Sequence, residues 1–131
     1  MEKIIRERAL TRIKALEEAG KFINCISRIL GEISVALYGS YARGDFNEWS
    51  DIDILIIAKD LPVNPLARLK RIHECLKKHP TIDPILVTIE EYQKMTTKQN
   101  PITVDVEKNG IILKDKLNIL QKPSKPSVER I

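Results

Sequence analysis

The run Asp51-Ile-Asp-Ile-Leu-Ile-Ile-Ala58 constrains this chain more than any other segment. Its β-branched residues favour extended backbone. Past the two acids it is apolar at both parities, so both faces of the strand need cover. A central strand with helices packed over the sheet meets that need. Asp51 and Asp53 are two residues apart, and on a strand their side chains leave from one face. Neighbouring carboxylates repel, and each favours its proton unless a cation lies between them. Magnesium, which takes hard oxygen ligands and often uses one or two carboxylates plus substrate phosphates, suits such a pair. The plainer alternative is two exposed acids that end a loop.

The remaining periodicities supply the cover. Ile5, Ala9, Ile13, Leu16, Ile23, Ile26 and Leu30 recur at helical spacing and predict a helix over 2–30, with a break or kink allowed at Gly20. Ile33–Tyr38 reads as a strand closed by the turn dipeptide Gly39-Ser40, with a short helix from Tyr41 to about Asp45. Asn64-Pro65 is an N-cap with proline in the first helical position, opening one helix on Leu66, Leu69, Ile72 and Leu76 that runs to His79-Pro80. A third strand follows at 82–87. Thr88 through Glu91 has the spacing of a capping box, and the helix it starts runs to about Lys98. Asn100-Pro101 starts a short helix ended by Asn109-Gly110, and Ile111–Leu113 is a short last strand. The order α, β, α, β, α, β, α, α, β implies a layered α+β or α/β domain over 1–115. Residues 116–131, rich in proline, serine and lysine, are expected to form a flexible tail.

Composition excludes more than it selects. With 131 residues there is room for one domain, and 43% hydrophobic content excludes wholesale disorder. No apolar run approaches the ~20 residues that cross a bilayer, and the charged N-terminus lacks a signal peptide's apolar block. Cys25 and Cys75 stand alone, so neither a disulfide framework nor a zinc site is expected, and a reduced, cytoplasmic setting is the default. The net charge of +4 is mild; it fits a solvated surface or a polyanionic ligand such as a nucleoside triphosphate.

The chemistry gathers between residues 37 and 54. Gly39 permits close backbone approach, and the Ser40 hydroxyl with the first helical N–H groups can hold phosphate oxygens. Neither a Walker loop nor a dinucleotide fingerprint is present. Tyr38, Tyr41, Gly44, Phe46 and Trp49 crowd the same stretch, as a shaped loop beside a pocket would require. Arg43 can pair with phosphate or with a local acid such as Asp45.

Gly39-Ser-Tyr-Ala-Arg-Gly-Asp45, followed by Ser50-Asp-Ile-Asp53 and an apolar strand, resembles the signature of the minimal nucleotidyltransferases of the DNA polymerase β superfamily. The match is tight over about 33–58 and by element order alone through Leu113. The resemblance implies a small mixed sheet of about four strands with helices packed on it. It also implies a nucleoside triphosphate, with ATP as the expected donor, held by Gly39, Ser40 and Arg43. Two magnesium ions would sit on Asp51, Asp53 and a third carboxylate, which also helps activate the acceptor hydroxyl. Asp83 is the matching third acid, with Asp105 and Glu90 as weaker substitutes; Pro84 beside Asp83 suits an edge strand. The reaction implied is attack of an acceptor hydroxyl on the α-phosphorus, with release of pyrophosphate.

Larger relatives append an acceptor-binding domain, so this chain is expected to borrow its acceptor site from a homodimer mate or a second protein. By resemblance that partner is a HEPN-domain toxin, modified on a tyrosine, and this chain its antitoxin. The rival class is a non-catalytic antitoxin or nucleotide-binding module that acts by occlusion. Nucleic acid is not an expected partner, since no aromatic residue interleaves Lys122, Lys125 and Arg130, and neither is a membrane. His73 and His79 are expected to cap or to pack rather than to catalyse.

Overall fold

The computed structural model of the chain describes residues 2–121. Its elements are α1 (Glu2–Leu30), β1 (Ile33–Tyr38), α2 (Ser40–Arg43), β2 (Ile52–Ala58), α3 (Pro65–Arg71), α4 (His73–Lys78), β3 (Ile82–Thr88), α5 (Ile89–Thr97), α6 (Pro101–Asn109) and β4 (Ile111–Asp115). The four strands form one mixed sheet in the order β3-β2-β1-β4. β1 runs antiparallel to β2 and β4, and β2 runs parallel to β3. The fold is α+β, and β2 is an inner strand as its two apolar faces require.

Parity along β2 divides the core. Ile54 and Ile56 join Val35 and Leu37 under Phe22, Ile23 and Ile26 of α1, together with Ile72 and Cys75. Leu55 and Ile57 join Ala36, Tyr38 and Val87 on the other face, beneath Tyr92 and Met95 of α5 and Ile102 and Val106 of α6. Each fully buried Ile or Leu stabilises the fold by roughly 1.5–3 kcal/mol. The odd-numbered residues of β2 therefore face α5 and α6, and Asp53 belongs to that series.

Local start signals work as their chemistry dictates. The Asn64 side chain accepts from the N–H of Leu66, and that of Asn100 from the N–H of Ile102, each ahead of a proline. Thr88 and Glu91 close a reciprocal capping box. α1 runs unbroken through Gly20.

Three expectations need correction. The helix expected from Asn64 to His79 is two helices, turning at Ile72 (φ −108°, ψ 17°), which is fully buried. The apolar spacing continues across the turn, so periodicity does not reveal it. Cys25 and Cys75 are not isolated: they form a disulfide between α1 and α4, with Cα atoms 5.8 Å apart. The pairing is made by helix packing, which cysteine spacing does not encode. Residues 116–121, assigned to the tail, pack on the sheet. Asp115 accepts from the N–H groups of Ile119, Leu120 and Gln121, and Leu120 is buried. The rest of the expected tail, 122–131, lies outside the described residues. Among the described residues no helix is long and apolar enough to cross a membrane. His79 is buried, paired with Glu18 and edge-on to Phe22.

Candidate active site

The site begins where β1 ends. Gly39 has φ +77° and ψ −158°, a conformation that side chains resist. A Cβ placed there would lie 2.1 Å from Asp53 Oδ2 and 3.0 Å from Asp53 Cγ, so glycine is required both for dihedral angle and for space. The chain then turns through α2, where the N–H groups of Ala42 and Arg43 both donate to the Gly39 carbonyl at 3.1 and 3.0 Å. Gly44 ends the turn in the left-handed region (φ +97°).

α2 is too short to hold itself, and α1 secures it. Arg12 Nη2 donates to the Ala42 carbonyl at 2.9 Å, and Arg8 Nη2 donates to that of Gly44 at 2.8 Å. These cations occupy the carbonyl end of α2, where its dipole is negative. Arg8 also lies 4.3 Å from the centre of the Phe46 ring, which stacks on Tyr41 at 4.6 Å. The clustered aromatics thus fasten the turn to the body, except Trp49, which is exposed.

Across the sheet, β1 and β2 pair Tyr38 with Asp53, and β2 and β3 pair Asp53 with Asp83. These three residues stand side by side on the face covered by α5 and α6, at one end of the strands. Asp51 precedes β2 by one residue and is exposed, as is Asp83; Asp53 is half-buried. Burial, reinforced by the charges of Asp83 and then Asp51, pushes the Asp53 carboxyl up to about 6. Burial and the nearby Asp53 and Asp83 charges also push the Tyr38 phenol well above its usual range. Pro84 costs no ladder bond inside the sheet because β3 is an edge strand.

The donor set fits a magnesium ion on its chemistry. It offers hard carboxylate oxygens, and burial next to the Asp83 and Asp51 carboxylates makes Asp53 resist ionisation, a resistance that a bound cation would relieve. Among the described residues no three His, Cys, Asp or Glu side chains are gathered into a group that would hold a metal alone. An ion here would draw further ligands from phosphate, as magnesium commonly does.

The residue whose place sequence reasoning missed is Asp105. Asp105 Oδ2 accepts from the Gly39 N–H at 3.0 Å and from Arg43 Nη1 at 2.9 Å, and Oδ1 accepts from Asn109 Nδ2 at 2.9 Å. Arg43 Nε also donates to Asp45 at 3.3 Å. Burial pushes the Asp105 carboxyl up, but the Asn109 and Gly39 hydrogen bonds and the Arg43 charge outweigh it and hold the group below its ordinary value. Tyr38, Gly39, Arg43, Asp53, Ile102 and Asp105 line a cleft of about 400 Å³. Asp105 thus enters the site as a partner of the Gly39 turn, whereas Glu90 stays exposed in the first turn of α5. Only its apolar neighbours at helical spacing, Ile102 and Val106, hinted that α6 packs here.

Comparisons with known proteins bear on the family and the fold. Residues 19–114 match the family model described as "Nucleotidyltransferase domain". Two relatives from Methanocaldococcus jannaschii are similar in sequence. "Putative protein adenylyltransferase MJ1305" is 34% identical over 76% of this chain and 71% of its own length. "Putative protein adenylyltransferase MJ0141" is 33% identical over 76% of this chain and 98% of its own. The fold is shared with a crystal structure of "a putative nucleotidyltransferase from Sulfolobus solfataricus" (TM-score 0.59, 20% identity, 80% of this chain and 84% of that one). A toxin–antitoxin structure with AMP-PNP shares it as well (TM-score 0.52, 19% identity, 83% of this chain and 77% of that one).

Proposed function

This chain belongs to the nucleotidyltransferase domain family and is a nucleotidyltransferase, and on that premise we propose that it transfers AMP from ATP to a hydroxyl group of a protein. The observation that carries the reading is the row of acids, Asp53 beside Asp83 with Asp51 at the strand's entry, next to the Gly39–Ser40 turn. The names of the two relatives support adenylylation of a protein. The acceptor is a tyrosine of a HEPN-type toxin, and this chain acts as the antitoxin; the toxin–antitoxin structure of like fold, solved with AMP-PNP, supports that direction.

In this mechanism the acceptor oxygen attacks the α-phosphorus and pyrophosphate leaves in line. The Ser40 hydroxyl, the N–H groups opening α2 and the Arg43 guanidinium donate to the phosphate oxygens and set the triphosphate's direction. Asp51, Asp53 and Asp83 would hold magnesium, two ions in all, which would supply charge neutralisation on the phosphates and a lowered pKa at the acceptor hydroxyl. A carboxylate oxygen of Asp83 takes the acceptor proton. Catalysis here is mostly positioning. We place it in the cytoplasm, where its nucleotide donor is abundant; the Cys25–Cys75 bond is compatible with that setting in cells whose intracellular proteins carry disulfides.

The test combines the protein with ATP labelled at the α-phosphate, magnesium and the protein encoded by the adjacent gene. Label on a tyrosine of that protein is expected, lost in the Asp51→Asn/Asp53→Asn double variant. A tight complex without label would favour occlusion, and undiminished pyrophosphate release by the double variant would sink the site assignment.

A further inference from the structure

Arg43 is one of the groups to which the proposed function gives the triphosphate, the Gly39 N–H lies at the turn just before α2, and in this structure both already hold an anion. Asp105 Oδ2 accepts from the Gly39 N–H at 3.0 Å and from Arg43 Nη1 at 2.9 Å. Its other oxygen is fixed by Asn109, one helical turn further on in α6. The carboxylate is therefore held in place by its own helix as well as by the cleft, and its side chain is only 17% exposed.

We propose that Asp105 is a built-in competitor for the phosphate subsite: it occupies the Gly39–Arg43 donor pair in the empty protein and must give way when a phosphate group binds. The inference rests on the proposed function for the identity of the ligand, but not for the contacts themselves.

Three features carry it. First, the two donors converge on a single oxygen, which is how an oxyanion is held by an N–H and a guanidinium. Second, a phosphate oxygen on the same donors would put two anions in contact, in a cleft that the Asp53 carboxylate also lines. Third, Arg43 has a second acid within reach, since its Nε donates to Asp45 at 3.3 Å. When Asp105 is displaced, the guanidinium keeps one carboxylate partner while its freed Nη1 turns to phosphate. The arrangement protects the strained Gly39 turn in the empty protein and makes affinity for phosphates lower than the donors alone would give. It also makes the position of α6 part of the phosphate site.

The experiment is a magnesium-free titration with inorganic pyrophosphate, followed by the amide resonance of Gly39, on the whole chain. The variants are Asp105→Asn, Asp105→Ala and each of these combined with Arg43→Ala. Asp105→Asn keeps the shape and the Asn109 contact while removing the charge, and Asp105→Ala also removes the acceptor. Both single variants are expected to bind pyrophosphate about tenfold more tightly than the wild type, with the gain falling below twofold in the Arg43→Ala background. Unchanged or weaker binding in the single variants would overturn the proposal, because a residue that merely positions the turn loses affinity when cut. An equal gain with and without Arg43 would also overturn it, since that is the signature of general charge removal. Pyrophosphate binding is read without any transfer step. A protein that shows the expected tightening yet labels no acceptor contradicts the transfer reading and leaves the competitor in place.

Discussion

At the scale of single residues, Gly39 and Asp53 form one unit. The Gly39 dihedral angles and the 2.1 Å approach of a would-be Cβ to Asp53 Oδ2 mean that Gly39→Ala strains the turn and displaces the acid together. A stability loss of about 1–3 kcal/mol is expected, along with at least a tenfold loss of triphosphate affinity, read by calorimetry. Asp53 itself is destabilising when charged. Its folded-state pKa of about 6 lies above the ordinary value of 3.8, so folding favours the protonated form. The stability associated with that proton is present below the unfolded pKa and lost as pH rises through about 6. Asp53→Asn should therefore raise the thermal midpoint at pH 7.5 without divalent cations, and the gain should fade at pH 4. A variant that melts lower at pH 7.5 would show that Asp53 is needed structurally. The contiguous motif made Gly39, Ser40, Arg43, Asp51 and Asp53 legible, because the backbone turn and the strand parity are set within a few residues. Asp105 was readable only as a weaker substitute for the third acid, since its contact with Gly39 and Arg43 comes from the packing of α6 over the end of β1.

At the scale of elements, the joint between α3, β3 and α5 depends on a buried cation. Arg68 Nη1 donates to the Leu86 carbonyl at 3.0 Å, its Nε donates to that of Pro62, and its guanidinium meets Glu91 at 2.7 and 3.0 Å. Arg68→Ala would leave two carbonyls and a carboxylate without their donor, and a loss of about 2–4 kcal/mol in urea denaturation is expected. The Arg68 hydrogen bonds, followed by that from the Thr88 backbone, hold Glu91 down at about 2. A depressed acid contributes stability above its unfolded pKa, near 4.5, and loses it as pH falls toward 2. Comparing unfolding at pH 7 and pH 3 should show a smaller acid loss in Arg68→Ala than in the wild type; equal losses would place the acid sensitivity elsewhere. Because the Glu91 side chain is 43% exposed, solvent screening keeps its share of the energy modest. The Thr88–Glu91 cap was legible, being a contact three residues long. The burial of Arg68 carries no local signal, because it follows from how α3 lies on β3.

At the scale of the whole molecule, the Cys25–Cys75 bond ties α1 to α4 across 50 residues. Loop-closure entropy assigns such a link about 4 kcal/mol. Reduction, or Cys25→Ser with Cys75→Ser, should lower unfolding free energy by up to that amount while leaving triphosphate affinity within twofold, since neither cysteine touches the cleft. A loss of affinity beyond that would mean that α1, whose Arg8 and Arg12 hold α2, shifts when released. The sequence by itself determined the strand parities, the helix starts, the strained glycine turn and the acids on one face of β2, because each depends on neighbours within a turn or a pleat. Only the tertiary structure decided the order β3-β2-β1-β4, which sets Asp83 beside Asp53, and the packing that carries Asp105 to Gly39 and Cys75 to Cys25. Those contacts join segments tens of residues apart, and what brings such segments together is the shared burial of apolar faces that could locally have met any other.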